Sequence, residues 1–180
     1  MNATFTGIHA YDGELPDWSS SGLAAMDSEM RDISARLTEH YPAPSNAVAY
    51  SDNVNLLDAE LIRGFCAIQA SEHDGRHGPR GNPALWTGEG IFSVISLMIR
   101  DFAPLVDRVG AATKRMNALP GFLNQSRETL GDAPLPSAWT AKAQRDCEGA
   151  AILFGRGIGC WLESASLSAR DRGAALAAAD

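Results

Sequence analysis

Cysteine is scarce. Cys66, Cys147 and Cys160 are widely spaced, and no Cys-x-x-Cys pair occurs. Neither a zinc ribbon nor a thioredoxin-type site is suggested, and the three read as reduced, buried thiols of a cytosolic protein. Long apolar runs are missing too. The longest, Ile91–Ile99, is broken by Ser93 and Ser96 and closed by Arg100 and Asp101. A membrane span needs roughly 20 such residues. Met1 to Ala10 has no basic start and no apolar core, so no signal peptide is read and a cytoplasmic location is expected. Positive charge is in deficit, with 15 Lys and Arg against 22 Asp and Glu and a net charge of −7. An acidic chain gains nothing from phosphate contacts, so nucleic acid is disfavoured as a partner.

What is present suits one packed domain. The chain has 180 residues, 45% apolar and 21% charged, enough for a core and too apolar for disorder along its length. Residues 1–20 read as an irregular arm and 21–180 as a helical domain. Leu23, Met26, Met30, Ile33 and Leu37 step along one helix face. Ser21 is the expected cap, and Pro42 and Pro44 the stop. A second helix is expected from Ala47 to Ser71, where Val54, Leu57, Leu61, Phe65 and Ile68 keep the helical step. Gly64 weakens it by about 1 kcal/mol relative to alanine. Residues 72–83 read as loop. Gly90–Arg100 is expected to be a buried helix, because no strand exists to pair with it.

Pro104 suits the first turn of the next helix, whose inward stripe is Leu105, Val109, Ala112 and Met116. Pro120 is expected to open a separate, shorter helix carrying Phe122, Leu123 and Leu130. A linker at 131–136 precedes a helix from Ser137, with Trp139, Ala143, Cys147, Ala150 and Phe154 in line. Gly155, Gly157 and Gly159 interrupt it, and a helical tail follows. That tail stops on Ala-Ala-Ala-Asp without a cap, which reads as a chain cut inside a helix. The expectation is an all-α bundle of six or seven helices. Trp139, Phe154, Ile158, Trp161, Leu162 and Leu167 are expected to form an uncovered apolar patch, rimmed by Arg156, Arg170 and Arg172. It would serve self-association or another polypeptide, the alternative being a tail that folds back and closes its own bundle.

Four segments could carry chemistry. Glu72-His73-Asp74-Gly75-Arg76-His77 spaces two histidines as a helical metal pair would. Gly75 and Gly78-Pro79 argue against a helix there, so a solvated loop is favoured over a site at His73 and His77. His9, Tyr11 and Asp12 sit on the arm, as binding loops often do, although the favoured reading is that His9 and Asp12 cap helices or tie down the arm. Asn82-Pro83 reads as a turn, and Trp86 either lines a groove or anchors the loop into the core, the latter being favoured. Gly155-Arg156-Gly157-Ile158-Gly159 follows no strand, so it is a helix break and not a phosphate loop.

These segments, in order, resemble a bacterial family known as domain of unknown function 885. The matching residues are Thr6–Asp17 (Thr-Gly-Ile-His-Ala-Tyr-Asp-Gly-Glu-Leu-Pro-Asp), Asn82-Pro83 with Trp86, Ile99–Leu105, Trp139-Thr140 and Cys147-Glu148-Gly149-Ala150. The resemblance implies an all-helical fold and a longer, zinc-metallopeptidase-like parent. That family's metal motif, His-Glu-x-x-Pro-Gly-His, is absent from this sequence, so no catalytic residue carries over. Without those ligands and the glutamate base, zinc cannot activate water here. Zinc is therefore expected only in the full-length family, with no cofactor in this chain. The implied role is a non-catalytic layer that covers a downstream catalytic domain and walls a substrate groove. The alternatives are a free-standing helical interaction module and a small metal-binding protein using His73 and His77.

Overall fold

The computed structural model describes residues 3–42, 54–163 and 167–180. Every regular element among them is helical, so the fold is all-α, as expected. The elements are α1 (Ser20–His40), α2 (Val54–Asp74), α3 (Pro83–Met98), α4 (Leu105–Leu130), α5 (Ser137–Ile152), α6 (Ile158–Glu163) and α7 (Ala169–Ala179). The part of the expected second helix before Val54 lies outside the described residues.

Helix α1 is capped by Ser19, not by Ser21. The Ser19 hydroxyl accepts from the Gly22 amide at 3.1 Å. The Asp17 carboxylate accepts from the Ser19 amide at 3.0 Å, which ties the arm to the cap. At the other end Arg63 of α2 donates to the carbonyls of Leu37 and Tyr41 at 3.3 and 2.9 Å. It shares the Leu37 carbonyl with the Tyr41 amide and supplies a donor to the Tyr41 carbonyl past the helix end. Helices α1 and α2 pack as a pair, with Leu23, Ala59 and Cys66 buried.

The apolar stripe of α2 points the other way. Leu57, Leu61, Phe65 and Ile68 are 46%, 63%, 51% and 58% exposed. Their four-, four- and three-residue spacing puts all of them on one side of the helix, away from α1.

Helix α3 is the centre of the molecule and packs against both α4 and α5. It begins earlier than expected. Asn82 is its N-cap, accepting from the Ala84 amide at 3.0 Å, and Pro83 is its first residue. Asn-Pro is therefore a helix start here, the position proline tolerates best. Small residues let α4 approach, and a Cβ at Gly90 would stand 3.0 Å from Leu119 Cδ2. Helix α4 runs unbroken through Pro120, so the expected separate helix does not form. Buried Met116 and Phe122 anchor the chain on both sides of the proline, and packing outweighs the penalty of about 3 kcal/mol for an interior proline. Pro104 sits just outside α4, at its N-cap.

The glycine-rich segment does not end the path from α5. Residues Leu153–Gly157 form a single π-turn that leads directly into α6, a known form of helix bulge. The tail then folds back, and α7 packs on α4. Val94, Leu97, Val109, Ala112, Met116, Ile158, Leu162 and Ala175 form one buried core. The expected uncovered patch on this half is thus corrected. Ile158 and Leu162 are sealed, while Phe154, Trp161 and Leu167 pack against them half-buried. Two cysteines also depart from expectation, since Cys147 and Cys160 are exposed and Cys66 is buried.

Candidate functional site

The arm is not loose. Residues His9–Tyr11 form a 3-10 turn whose position is set by a buried arginine of α4. Arg115 is 2% exposed. It donates to the Thr4 hydroxyl at 2.7 Å and to the Tyr11 carbonyl at 3.0 Å. It also donates to the Ser93 carbonyl of α3 and to the Ser96 hydroxyl. Burial pushes its pKa below the ordinary arginine value, opposed by the nearby carboxylates of Asp12 and Glu89. Its Nε has no partner among the described residues.

The relay continues outward. Thr4 Oγ1 accepts from Arg115 and donates to Asp12 Oδ1 at 2.7 Å. Asp12 in turn holds His9 Nδ1 at 3.2 Å. The imidazole lies flat on Phe102, with centroids 4.1 Å apart and planes 10° from parallel. Asp12 and Phe102 together fix the ring, and the Asp12 contact leaves Nε2 as the nitrogen available to a ligand. A concavity of about 420 Å³ opens there, lined also by Asp107 and Lys114 of α4. These two are seven residues apart on one helix face. The Lys114 stem passes over Gly13, where a Cβ would stand 2.9 Å from its Cδ. Its ammonium has no partner among the described residues. An oriented imidazole, a free ammonium and a carboxylate can bind a polar or zwitterionic ligand. Among the described residues, no serine or cysteine lines the concavity.

The expected site residues therefore separate. His9 and Asp12 face this concavity, whereas Tyr11 contributes its carbonyl and leaves its ring 54% exposed. Asn82 is a helix cap. Trp86 belongs to α3, is 1% exposed and packs on Trp18 and Phe122. Its indole donates to the Pro79 carbonyl at 2.8 Å, so it anchors the preceding loop into the core. Sequence reading missed Arg115, Lys114 and Arg108, the last a buried residue that also lines the concavity and donates to the carbonyls of Leu97 and Ala103 at 3.0 and 3.1 Å. The available signal was two arginines seven apart, each one position before a residue of the apolar stripe at Val109 and Met116.

His73 and His77 are not one helical pair. Helix α2 reaches Asp74 and stops, so His73 lies in its last turn and His77 beyond it. Arg76 takes φ +56°, and its guanidinium donates to the carbonyls of Arg80 and Leu130 at 2.9 and 2.8 Å. His77 stands edge-on to Trp139, centroids 6.0 Å apart. Among the described residues no group of three His, Cys, Asp or Glu side chains converges as a metal site would. His73 instead lines two cavities, of about 400 and 140 Å³, and Arg80 lines both as well.

No family profile matches the chain, and no curated protein matches it. A solved structure does share the fold. It is a protein of unknown function from Shewanella oneidensis, described as a presumed lipoprotein, with a TM-score of 0.78 at 19% identity. The match covers 99% of this chain and 31% of that one. The chain thus spans about a third of the neighbour's length, and at this identity the likeness concerns the fold alone. Among the described residues, no helix is long and apolar enough to cross a membrane.

Proposed function

We propose that this chain is a non-catalytic helical domain that packs against the rest of a longer, metallopeptidase-like polypeptide and walls its substrate groove. The observation that carries this reading is the α2 stripe. Four large apolar side chains, contiguous along one helix, face solvent while the rest of the domain buries its own core. Isolated apolar residues on a surface are ordinary, but a contiguous stripe usually marks a contact. The same helices in the Shewanella protein occupy 31% of a much longer chain, which supports further polypeptide as the occupant. The order of the motifs from Thr6–Asp17 to Cys147–Ala150 supports the metallopeptidase-like assignment. The concavity at His9, Asp12 and Lys114 supplies the polar wall. In this reading zinc and the general base come from elsewhere in the longer protein.

A second reading has its own observation. Helix α7 closes the core over Ile158 and Leu162, as a free-standing interaction module would require. The reading frame beyond Asp180 separates the two. A downstream His-Glu-x-x-Pro-Gly-His supports the groove domain, and a frame that ends at Asp180 overturns it.

A further inference from the structure

The geometry points to a binding site for an α-carboxylate that carries an apolar side chain, in the cleft between α2 and the loop 75–82. This inference goes beyond the proposed function and needs only the fold of the chain itself. Two adjoining cavities share His73 and Arg80. Neither side chain makes a hydrogen bond or an ion pair with a described residue. Two potential cations thus stand where the cavities meet, unused by the fold.

The compartments differ in character. The larger, about 400 Å³, is polar, with Ser20, Arg76 and Thr129 in its wall. Arg76 is spent on the Arg80 and Leu130 carbonyls, and the Thr129 hydroxyl on the Trp18 carbonyl. Arg80 is the guanidinium left for a ligand. The smaller, about 140 Å³, is faced by Leu23, Met26, Pro79 and Leu85. It has room for a side chain of about four carbons.

Each compartment also holds a carboxylate. Asp74 lines the polar one and Glu72 the apolar one. Glu72 accepts from the Gln69 amide at 3.4 Å. Two carboxylates against two arginines and one imidazole suit a monoanion better than a phosphate dianion. A guanidinium also matches a carboxylate with two parallel hydrogen bonds.

The loop is built to hold this shape. Arg76 keeps a left-handed backbone, a Cβ at Gly81 would collide with the Arg76 carbonyl oxygen, and Trp86 pins Pro79. Preorganisation of this kind lowers the cost of binding. The ligand has two sources, a free N-acylated apolar amino acid or the C-terminus of a peptide ending in one, and both present the same chemistry.

Nuclear magnetic resonance of the purified 180-residue chain tests it, read at the His73 ring protons. N-acetyl-L-leucine at millimolar concentration is expected to shift them, while N-acetyl-L-leucinamide and acetate shift them at least about tenfold less at equal concentration. Arg80→Gln is expected to weaken N-acetyl-L-leucine at least about tenfold with an unchanged circular dichroism spectrum. A tripeptide ending in leucine that binds more tightly assigns the peptide source, and equal binding assigns the free acid. An amide that binds as well as the acid overturns the proposal. So does inorganic phosphate outcompeting N-acetyl-L-leucine. Should Arg80→Gln fail to fold, the acid–amide comparison on the unaltered chain still decides.

Discussion

Arg115 Nη2 lies 2.7 Å from Thr4 Oγ1, so a residue in the middle of α4 fixes one near the start of the chain. The guanidinium joins arm, α3 and α4 through four acceptors. Arg115→Met keeps the volume and strands those acceptors, at a cost of about 2–4 kcal/mol. Urea unfolding measures the loss. Proteolysis within residues 3–13 is expected to rise before the core opens, and an arm equally protected in the variant would refute the relay.

Two leucines separate the buried half from the open one. Leu162 is 1% exposed and Leu61 is 63% exposed. Leu162→Ala is expected to cost about 2–5 kcal/mol, and Leu61→Ala within about 0.5 kcal/mol of zero in the isolated chain. Equal losses would contradict both the sealed tail and the open α2 stripe.

Two glycines make a matched pair. At Gly81 a Cβ would overlap the Arg76 backbone, while at Gly64 nothing lies within 4 Å. Gly81→Ala should destabilise by about 1–3 kcal/mol or more. Gly64→Ala should stabilise by about 0.5–1 kcal/mol, because alanine is the better helix former. Thermal melts of the two variants check the opposite signs.

Acid sensitivity has a local source at α1. The Ser19 hydroxyl and then the Ser19 amide hold the Asp17 carboxyl below its ordinary pKa of 3.8. A lowered folded-state pKa gives stability that is present above the unfolded value and lost as pH falls through the folded one. The stability gap between the chain and Asp17→Asn is therefore expected at neutral pH and to close as pH drops below about 3.8. A gap that widens in acid would reverse the sign of this account.

Helix existence and type were legible in the sequence, because the stripes at Leu23–Leu37 and Leu105–Met116 keep the 3.6-residue period. Boundaries were less so. Asn82-Pro83 looks like a turn until the Ala84 amide is seen to bond the Asn82 side chain, and Pro120 looks like a start until packing at Met116 and Phe122 overrides it. Periodicity also says that a face is apolar without saying what covers it. That is why the open stripe was expected on the C-terminal half and occurs on α2. His9 and Asp12 were visible as polar arm residues, whereas Arg115 and Lys114, over a hundred residues away, join them only through the fold.

The accessibility of the α2 face tests the central claim most directly. A single exposed thiol is placed by Leu61→Cys in a chain whose exposed Cys147 and Cys160 are changed to serine and whose buried Cys66 is kept. The parent without Leu61→Cys sets the background. Labelling is timed in the 180-residue chain and in the protein translated from the whole reading frame. Docking of α2 on further polypeptide predicts labelling slowed at least about tenfold in the latter. Equal rates in the two would contradict the account.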